Sequence, residues 1–186
     1  MPHSLVSQLE AFASRGVCLA LSGGVDSALL LALLAQCQHG RTHAVTLQTF
    51  FQAPEDIKLA HRLAALYGIE HSVLSLDFTH ESEILANRPD RCYLCKTKLF
   101  RALKAFANAH QLAICIDGTN AEDLTHDRPG LRALQELEIR SPLAECGMTK
   151  ADIRTLAREL ALPVAERPSA PCRIAYIPKG TPIPVP

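Results

Sequence analysis

Neither sign of charge is in excess. Lysine plus arginine total 19, aspartate plus glutamate total 19, and no basic block breaks the balance along the 186 residues. Binding to a phosphate backbone normally leaves a basic footprint, so this balance counts against a nucleic-acid partner. No apolar run reaches membrane-spanning length, and the first eight residues carry neither a charged n-region nor an apolar h-region. The expectation is a cytoplasmic protein with no membrane partner. The seven cysteines are an odd number, which fits reduced thiols in that compartment better than a disulfide framework. A second Cys-x-x-Cys, or a His pair at finger spacing, is also missing, so the four ligands of a structural zinc site are not supplied. No internal repeat is present. What remains is an ordinary globular composition, 48% apolar and 20% charged, of a length suited to one core with a short appendage.

The chain does contain a phosphate-sized loop. Ser22-Gly23-Gly24-Val25-Asp26-Ser27 stands between a short uncharged run at 17–21 and a longer apolar run at 28–34. The first run reads as a strand buried on both faces of a parallel sheet, and the second is too long to be another strand. The two glycines let backbone N–H groups approach an anion, and the helix start near Ser27 adds unpaired amides and the positive end of a dipole. The serine hydroxyls are further donors, and Asp26 can hold the magnesium ion that accompanies a polyphosphate. A Walker A loop would need a lysine reaching the β- and γ-phosphates, and none lies near; γ-phosphoryl transfer of the kinase or GTPase type is disfavoured. ATP with Mg2+ is the expected cofactor pair.

Strand-like and helical patterns alternate along the chain, the signature of a parallel α/β sheet. Strands are expected near 17–21, 43–49, 71–77, 112–117 and 138–141, which makes a Rossmann-like five-stranded sheet with helices on both faces. Helices are expected at 55–67, with Pro54 in its first turn and Gly68 closing it, and at 92–110. Thr149 with Asp152 opens the last helix as a capping-box variant. The ATP-binding domain should occupy 1–162, and an irregular proline-rich tail 163–186. Ligands of such sheets bind beyond the carboxyl ends of the strands, which gathers the loop, the end of the second strand and Asp117-Gly118-Thr119-Asn120 on one rim. Gly118, Thr119 and Asn120 read as a second nucleotide contact with Asp123 as a metal carboxylate, or equally as a turn with a solvated acidic face.

The cysteines divide by surroundings. Cys18, Cys37 and Cys115 fall in apolar patterns and read as core; Cys146 is undecided. Cys92 and Cys95 form a Cys-x-x-Cys at a helix start, open to redox, cluster or purely structural readings. Cys172 lies in an irregular polar stretch between Arg167 and Arg173, and since cations stabilise a thiolate it is the best candidate for a reactive cysteine.

The loop pattern resembles the PP-loop of the ATP pyrophosphatases among the adenine nucleotide alpha-hydrolases. That resemblance implies a grip on departing pyrophosphate and attack at the α-phosphorus, so that a substrate oxygen becomes adenylated. The wider motif set is Asn87-Arg88-Pro89-Asp90-Arg91-Cys92-Tyr93-Leu94-Cys95-Lys96, Asp117 through Asp123, Arg128-Pro129-Gly130, Arg140-Ser141-Pro142-Leu143 and Lys150-Ala151-Asp152-Ile153-Arg154. Together with the loop it is similar to the LarE family of ATP-dependent sacrificial sulfur transferases over nearly the whole chain. The resemblance implies adenylation of a small-molecule carboxylate on a pyridinium mononucleotide, displacement of AMP by a cysteine thiolate, and cleavage of the Cβ–S bond, as in synthesis of the nickel-pincer cofactor. Cys172 matches the family's sulfur donor. Family members carry a Ser-Arg pair after that cysteine, where Ala175 and Tyr176 stand here; the resemblance then implies either that an anion-binding arginine is missing or that Arg173 or Lys179 replaces it as the contact to substrate phosphate. Ala165 stands where a tryptophan is common. Members also continue into a further small domain, so a homo-oligomer or a partner supplying that domain is expected. Two other readings are a tRNA-thiolating enzyme in which Cys92, Cys95 and Cys172 hold an iron–sulfur cluster, and an ATP-binding partner subunit without catalysis.

Overall fold

A computed structural model describes residues 3–37, 40–125, 129–168 and 172–186. Arg128 of the Arg-Pro-Gly motif, and Ser169, Ala170 and Pro171 ahead of Cys172, lie outside the described residues. Helix α1 (His3–Ala13) leads to β1 (Val17–Ala20), the loop, and α2 (Val25–Leu34). Then follow β2 (Thr42–Gln48), α3 (Pro54–Leu66), β3 (Glu70–Ser75), the short α4 (Ser82–Leu85), α5 (Arg91–Ala109) and β4 (Ile114–Ile116). A 3-10 turn (Ala121–Thr125), α6 (Pro129–Glu136), α7 (Pro142–Glu145), α8 (Lys150–Glu159) and a last 3-10 turn (Arg173–Tyr176) complete the order.

The sheet has the order β3-β2-β1-β4 with every pair parallel. From β1 the chain winds outward through β2 to β3 and then returns to the other side of β1, so strand order reverses between β1 and β4. The loops leaving those two strands diverge there and open a crevice. Val17, Cys18 and Leu19 of β1 are fully buried, as the central strand of a doubly covered sheet must be. Helix α2 is apolar all round and buried except near Asp26, which is what a helix enclosed by other layers requires.

The sheet has four strands, not the five expected. Residues 138–141 contribute a single parallel bridge, Ile116 to Arg140, in which Arg140 N donates to Cys115 O at 2.9 Å and Asp117 N to Arg140 O at 2.9 Å. The extended stretch is cut at both ends. Glu138 has φ 54°, and Pro142, which lacks an N–H, already opens α7.

One core lies on each face. Leu19, Leu21 and Ile116 pack with α1, α2, α3 and α8 on one side, and Cys18, Val45 and Cys115 with α5, α6 and Ile174 and Ile183 of the tail on the other. Cys18 and Cys115 are core residues as expected; Cys37 is half-buried against the first cluster. The Thr149–Asp152 capping box forms as read from the sequence, with Asp152 N donating to Thr149 Oγ1 at 3.2 Å and Thr149 N to Asp152 Oδ2 at 3.0 Å.

Among its described residues the tail contains no strand. It is tied to the domain by Asn87, whose Nδ2 donates to Pro178 O and Thr181 O at 2.8 Å each, while Gly180 N donates back to Asn87 O at 3.0 Å. Among the described residues no helix is long and apolar enough to cross a membrane.

Candidate active site

The loop after β1 turns on Gly23, whose φ is +79° and where a Cβ would lie 2.8 Å from Asp56 O; only glycine fits. Helix α2 starts at Gly24 with no side-chain cap, leaving its first-turn amides to the crevice. Ser27 is 2% exposed, and its Oγ sits 3.2 Å from both Ser22 N and Gly24 O. It is a strut inside the loop, while Ser22, Gly24, Val25 and Asp26 line a cleft of about 600 Å³.

The opposite rim comes from the loop after β4. Asp117 is buried and accepts from Thr119 Oγ1 at 2.6 Å and Ser141 Oγ at 2.7 Å, which fixes the turn. Gly118 is the contact between the two rims: a Cβ there would come within 2.9 Å of Ser27 N. Asn120 Nδ2 donates to Asp26 Oδ1 at 3.4 Å, and Asn120 N to Asp123 Oδ2 at 3.1 Å. Asp26 and Asp123 therefore share one wall with Asn120 between them. Two carboxylates beside a polyphosphate-sized cleft are the hard oxygen donors Mg2+ takes, and they fit it. Among the described residues no group of three His, Cys, Asp or Glu is arranged to hold a metal ion by itself, so the phosphates would have to complete the shell.

Two cations of the cleft had no role assigned in the phosphate site from sequence. Lys150, at the first position of α8, pairs with Asp26, and its amide donates to Glu122 Oε1 at 2.8 Å. Arg167 pairs with Asp56 and donates to Gly23 O at 2.9 Å. Its backbone is held in turn by Arg154, which donates to Ala165 O at 2.7 Å and Arg167 O at 2.9 Å. The motif Lys150 to Arg154 was visible in the sequence, but its pairing with a residue 124 positions away was not. Arg167 lines the same cleft as Cys172, and there its guanidinium is engaged by Asp56 of α3 and by Gly23 O of the loop.

The cleft also takes in Cys172 and Arg173. Cys172 is exposed, and it sits among enough cleft atoms that desolvation pushes its thiol up, against the Ile174 amide and Arg91, which pull it down. Cys92 adds to the upward push, and Cys95, driven up to about 12 by burial, feels both Cys172 and Cys92. The three cysteines are thus gathered in one neighbourhood, as free thiols. Lys179 is exposed on the tail turn and is not part of the cleft wall. A second recess of about 290 Å³ continues from the loop past Val45, Thr46, Leu47, Lys96 and Phe100 to Gly118 and Thr119.

A parallel sheet whose glycine loop and helix start meet a second rim across the switch point defines an α/β nucleotide-binding domain of the PP-loop type. Residues 3–110 match the asparagine synthase family model, and the chain belongs to that family of ATP-using domains. It is 33% identical over 147 residues to pyridinium-3,5-bisthiocarboxylic acid mononucleotide synthase of Lactiplantibacillus plantarum, covering 78% of this chain and 53% of that protein. It is 34% identical over 167 residues to an uncharacterised protein of Synechocystis, covering 90% and 62%, and 32% identical to the tRNA-specific 2-thiouridylase MnmA of Azorhizobium caulinodans, covering 90% and 52%. The chain spans a little over half the length of these relatives. Among solved structures, NMN synthetase from Francisella tularensis superposes with a TM-score of 0.66 at 20% identity over 91% of this chain and 76% of that one. Glutamine-dependent NAD+ synthetase from Acinetobacter baumannii in complex with ADP gives 0.69 at 19% over 89% and 34%. At that identity the likeness is one of fold.

Proposed function

We propose that this protein is an ATP-dependent sulfur transferase that adenylates a carboxylate and then receives it on Cys172. The observation that carries this is the presence of Cys172 in the same cleft as Ser22, Gly24 and Asp26. A carboxylate oxygen of the acceptor attacks the α-phosphorus, the bond to the β-phosphate oxygen breaks, and pyrophosphate leaves into the loop. The Cys172 thiolate attacks the acyl carbon and AMP departs with the bonding pair. Loss of the Cys172 α-proton with cleavage of its Cβ–S bond leaves a thiocarboxylate and dehydroalanine.

Loop and α2 amides would hold the departing pyrophosphate, with Lys150 and Arg167 exchanging their carboxylate partners for its charge. Asp26 and Asp123 would hold Mg2+, which supplies charge neutralisation to the phosphates. The apolar recess beside Thr46 and Phe100 suits an adenine ring. The relative from Lactiplantibacillus plantarum, named for a pyridinium thiocarboxylic acid, supports a pyridinium carboxylate mononucleotide as acceptor. A second copy or a partner protein contributing to the acceptor side belongs to the same proposal.

Incubation with ATP, Mg2+ and that carboxylate is expected to release pyrophosphate and to lower the protein's mass by the elements of hydrogen sulfide, located to Cys172 by peptide mass. Pyrophosphate release with Cys172 intact would refute donor chemistry. A second reading, thiolation of tRNA, is favoured by the MnmA relatives and by the proximity of Cys92 and Cys95 to Cys172; it predicts an intact Cys172 and sulfur in the RNA.

A further inference from the structure

Arg91 violates three ordinary expectations together. It is 3% exposed, it opens the 19-residue α5, where the helix dipole is already positive, and it has no carboxylate partner among the described residues. Its Nη1 donates to Asn87 Oδ1 at 2.5 Å and Ile174 O at 3.0 Å, and Nη2 reaches Cys92 Sγ at 3.4 Å. Its Nε is buried with no hydrogen-bond partner among the described residues. A buried, unpaired charge is costly and is normally neutralised. Its hydrogen-bond partners among the described residues are a neutral amide, a backbone carbonyl and a sulfur.

We infer that Arg91 is the positioning residue of the donor thiol: it grips the turn that carries Cys172 and supplies the buried positive charge against which the Cys172 sulfur becomes an anion. The inference rests on reading Cys172 as the reacting sulfur. The grip is direct, because Ile174, whose carbonyl Arg91 holds, also turns its amide to the Cys172 sulfur. A drift of the turn from Arg91 breaks the bond to Ile174 O and carries Cys172 away with it.

The other charges near Cys172 are otherwise engaged. Lys150 is bound to Asp26 and Arg167 to Asp56, so those pairs cancel at a distance. Glu122 and Asp123 face the cleft from the 3-10 turn and oppose a thiolate, as do Cys92 and Cys95 from α5 once ionised. Arg173 is exposed and screened by water. Arg91 is the buried cation of the set, and it pulls the Cys172 thiol down against desolvation.

The test is the pH profile of Cys172 alkylation by iodoacetamide in the full chain, resolved by peptide mass, with Cys146, bonded to Gln8 Oε1 at 3.3 Å, as internal reference. In Arg91→Gln the Cys172 midpoint should move up by about one pH unit, a roughly tenfold lower rate near neutral pH, with Cys146 unchanged. Arg91→Lys keeps a charge without the planar fork and should lose about threefold, again at Cys172 alone. Should Arg91→Gln not fold, Arg91→Lys carries the test. A wild-type Cys172 profile in a folded variant, or equal changes at Cys172 and Cys146, overturns the proposal. The assay contains neither ATP nor acceptor. Failure of sulfur transfer therefore shows as an intact Cys172 in the turnover experiment, and failure of this inference as an Arg91-independent alkylation profile.

Discussion

Gly118 sets the spacing of the two rims. The Cβ of an alanine would meet Ser27 N at 2.9 Å and Asp26 Cβ at 3.3 Å, and Ser27 is 2% exposed inside α2, so backbone would have to move. Gly118→Ala is expected to push the second rim off the loop and weaken ATP binding about tenfold or more by calorimetric titration; unchanged affinity would remove Gly118 from the site. Asp26→Asn keeps the shape but not the charge shared by Lys150 and a cation. Pyrophosphate release should fall by about 100-fold or more, and retained turnover would discard the assignment of the loop. The loop itself was legible because its residues are consecutive and flanked by a strand and helix pattern. Lys150, Arg167 and Arg91 were not, since each acquires its role from a partner far away in the chain: Gly23 lies 144 residues from Arg167 and Ile174 lies 83 from Arg91. Arg167 illustrates this: nearness in sequence put it beside Cys172, and both do line the cleft, but its ion pair with Asp56 could not be read from the sequence.

At the level of elements, helix limits are legible where a cap marks them, as at Pro54 and Thr149. The expected fifth strand failed because an alternating apolar stretch says nothing of how many residues the next proline leaves free for pairing. Thr149→Ala removes one side of the box that starts α8 and should cost about 1 kcal/mol in urea melts, with Lys150 drawn away from Asp26 as a secondary effect. Between β2 and β3 a different device acts. Thr46 Oγ1 donates to Leu21 O at 2.8 Å, so at 2.8 Å it must accept from His71 Nε2, which leaves His71 Nδ1 facing His61 Nδ1 at 3.4 Å. Burial, with the charges of His61 and His43, lowers the His71 pKa. The folded protein therefore binds fewer protons than the unfolded chain as pH falls, and this part of the stability, full above about 6.5, is lost as pH drops through the folded value. Thermal melts should show declining stability below about pH 6.5, the ordinary histidine range, and His71→Gln should flatten that decline; an equal slope in the variant would place the acid sensitivity elsewhere.

At the scale of the molecule, the proposed sulfur transfer would place activation and donation on two different parts of the fold. The loop, α2, the second rim and α8 line one side of the cleft, while Cys172 reaches it on a tail that belongs to the core on the other face of the sheet, through Ile174 and Ile183. The two are joined at Asn87, which is 0% exposed at φ 52°, binds four tail positions through its side chain and backbone and receives Arg91. Asn87→Ala leaves Pro178 O, Thr181 O and an Arg91 donor without their partner, a loss of about 2–3 kcal/mol if the groups stay buried. The tail escapes that penalty by peeling into water, so it is expected to loosen while the sheet holds. Hydrogen exchange at Gly180 and Ile183 should rise while the β1 and β4 amides stay protected, and ATP binding should remain near wild type with modification of Cys172 lost. Parallel loss of ATP binding and Cys172 chemistry would instead mean that loop and tail form one cooperative unit, and that the donor cysteine is built into the nucleotide site itself.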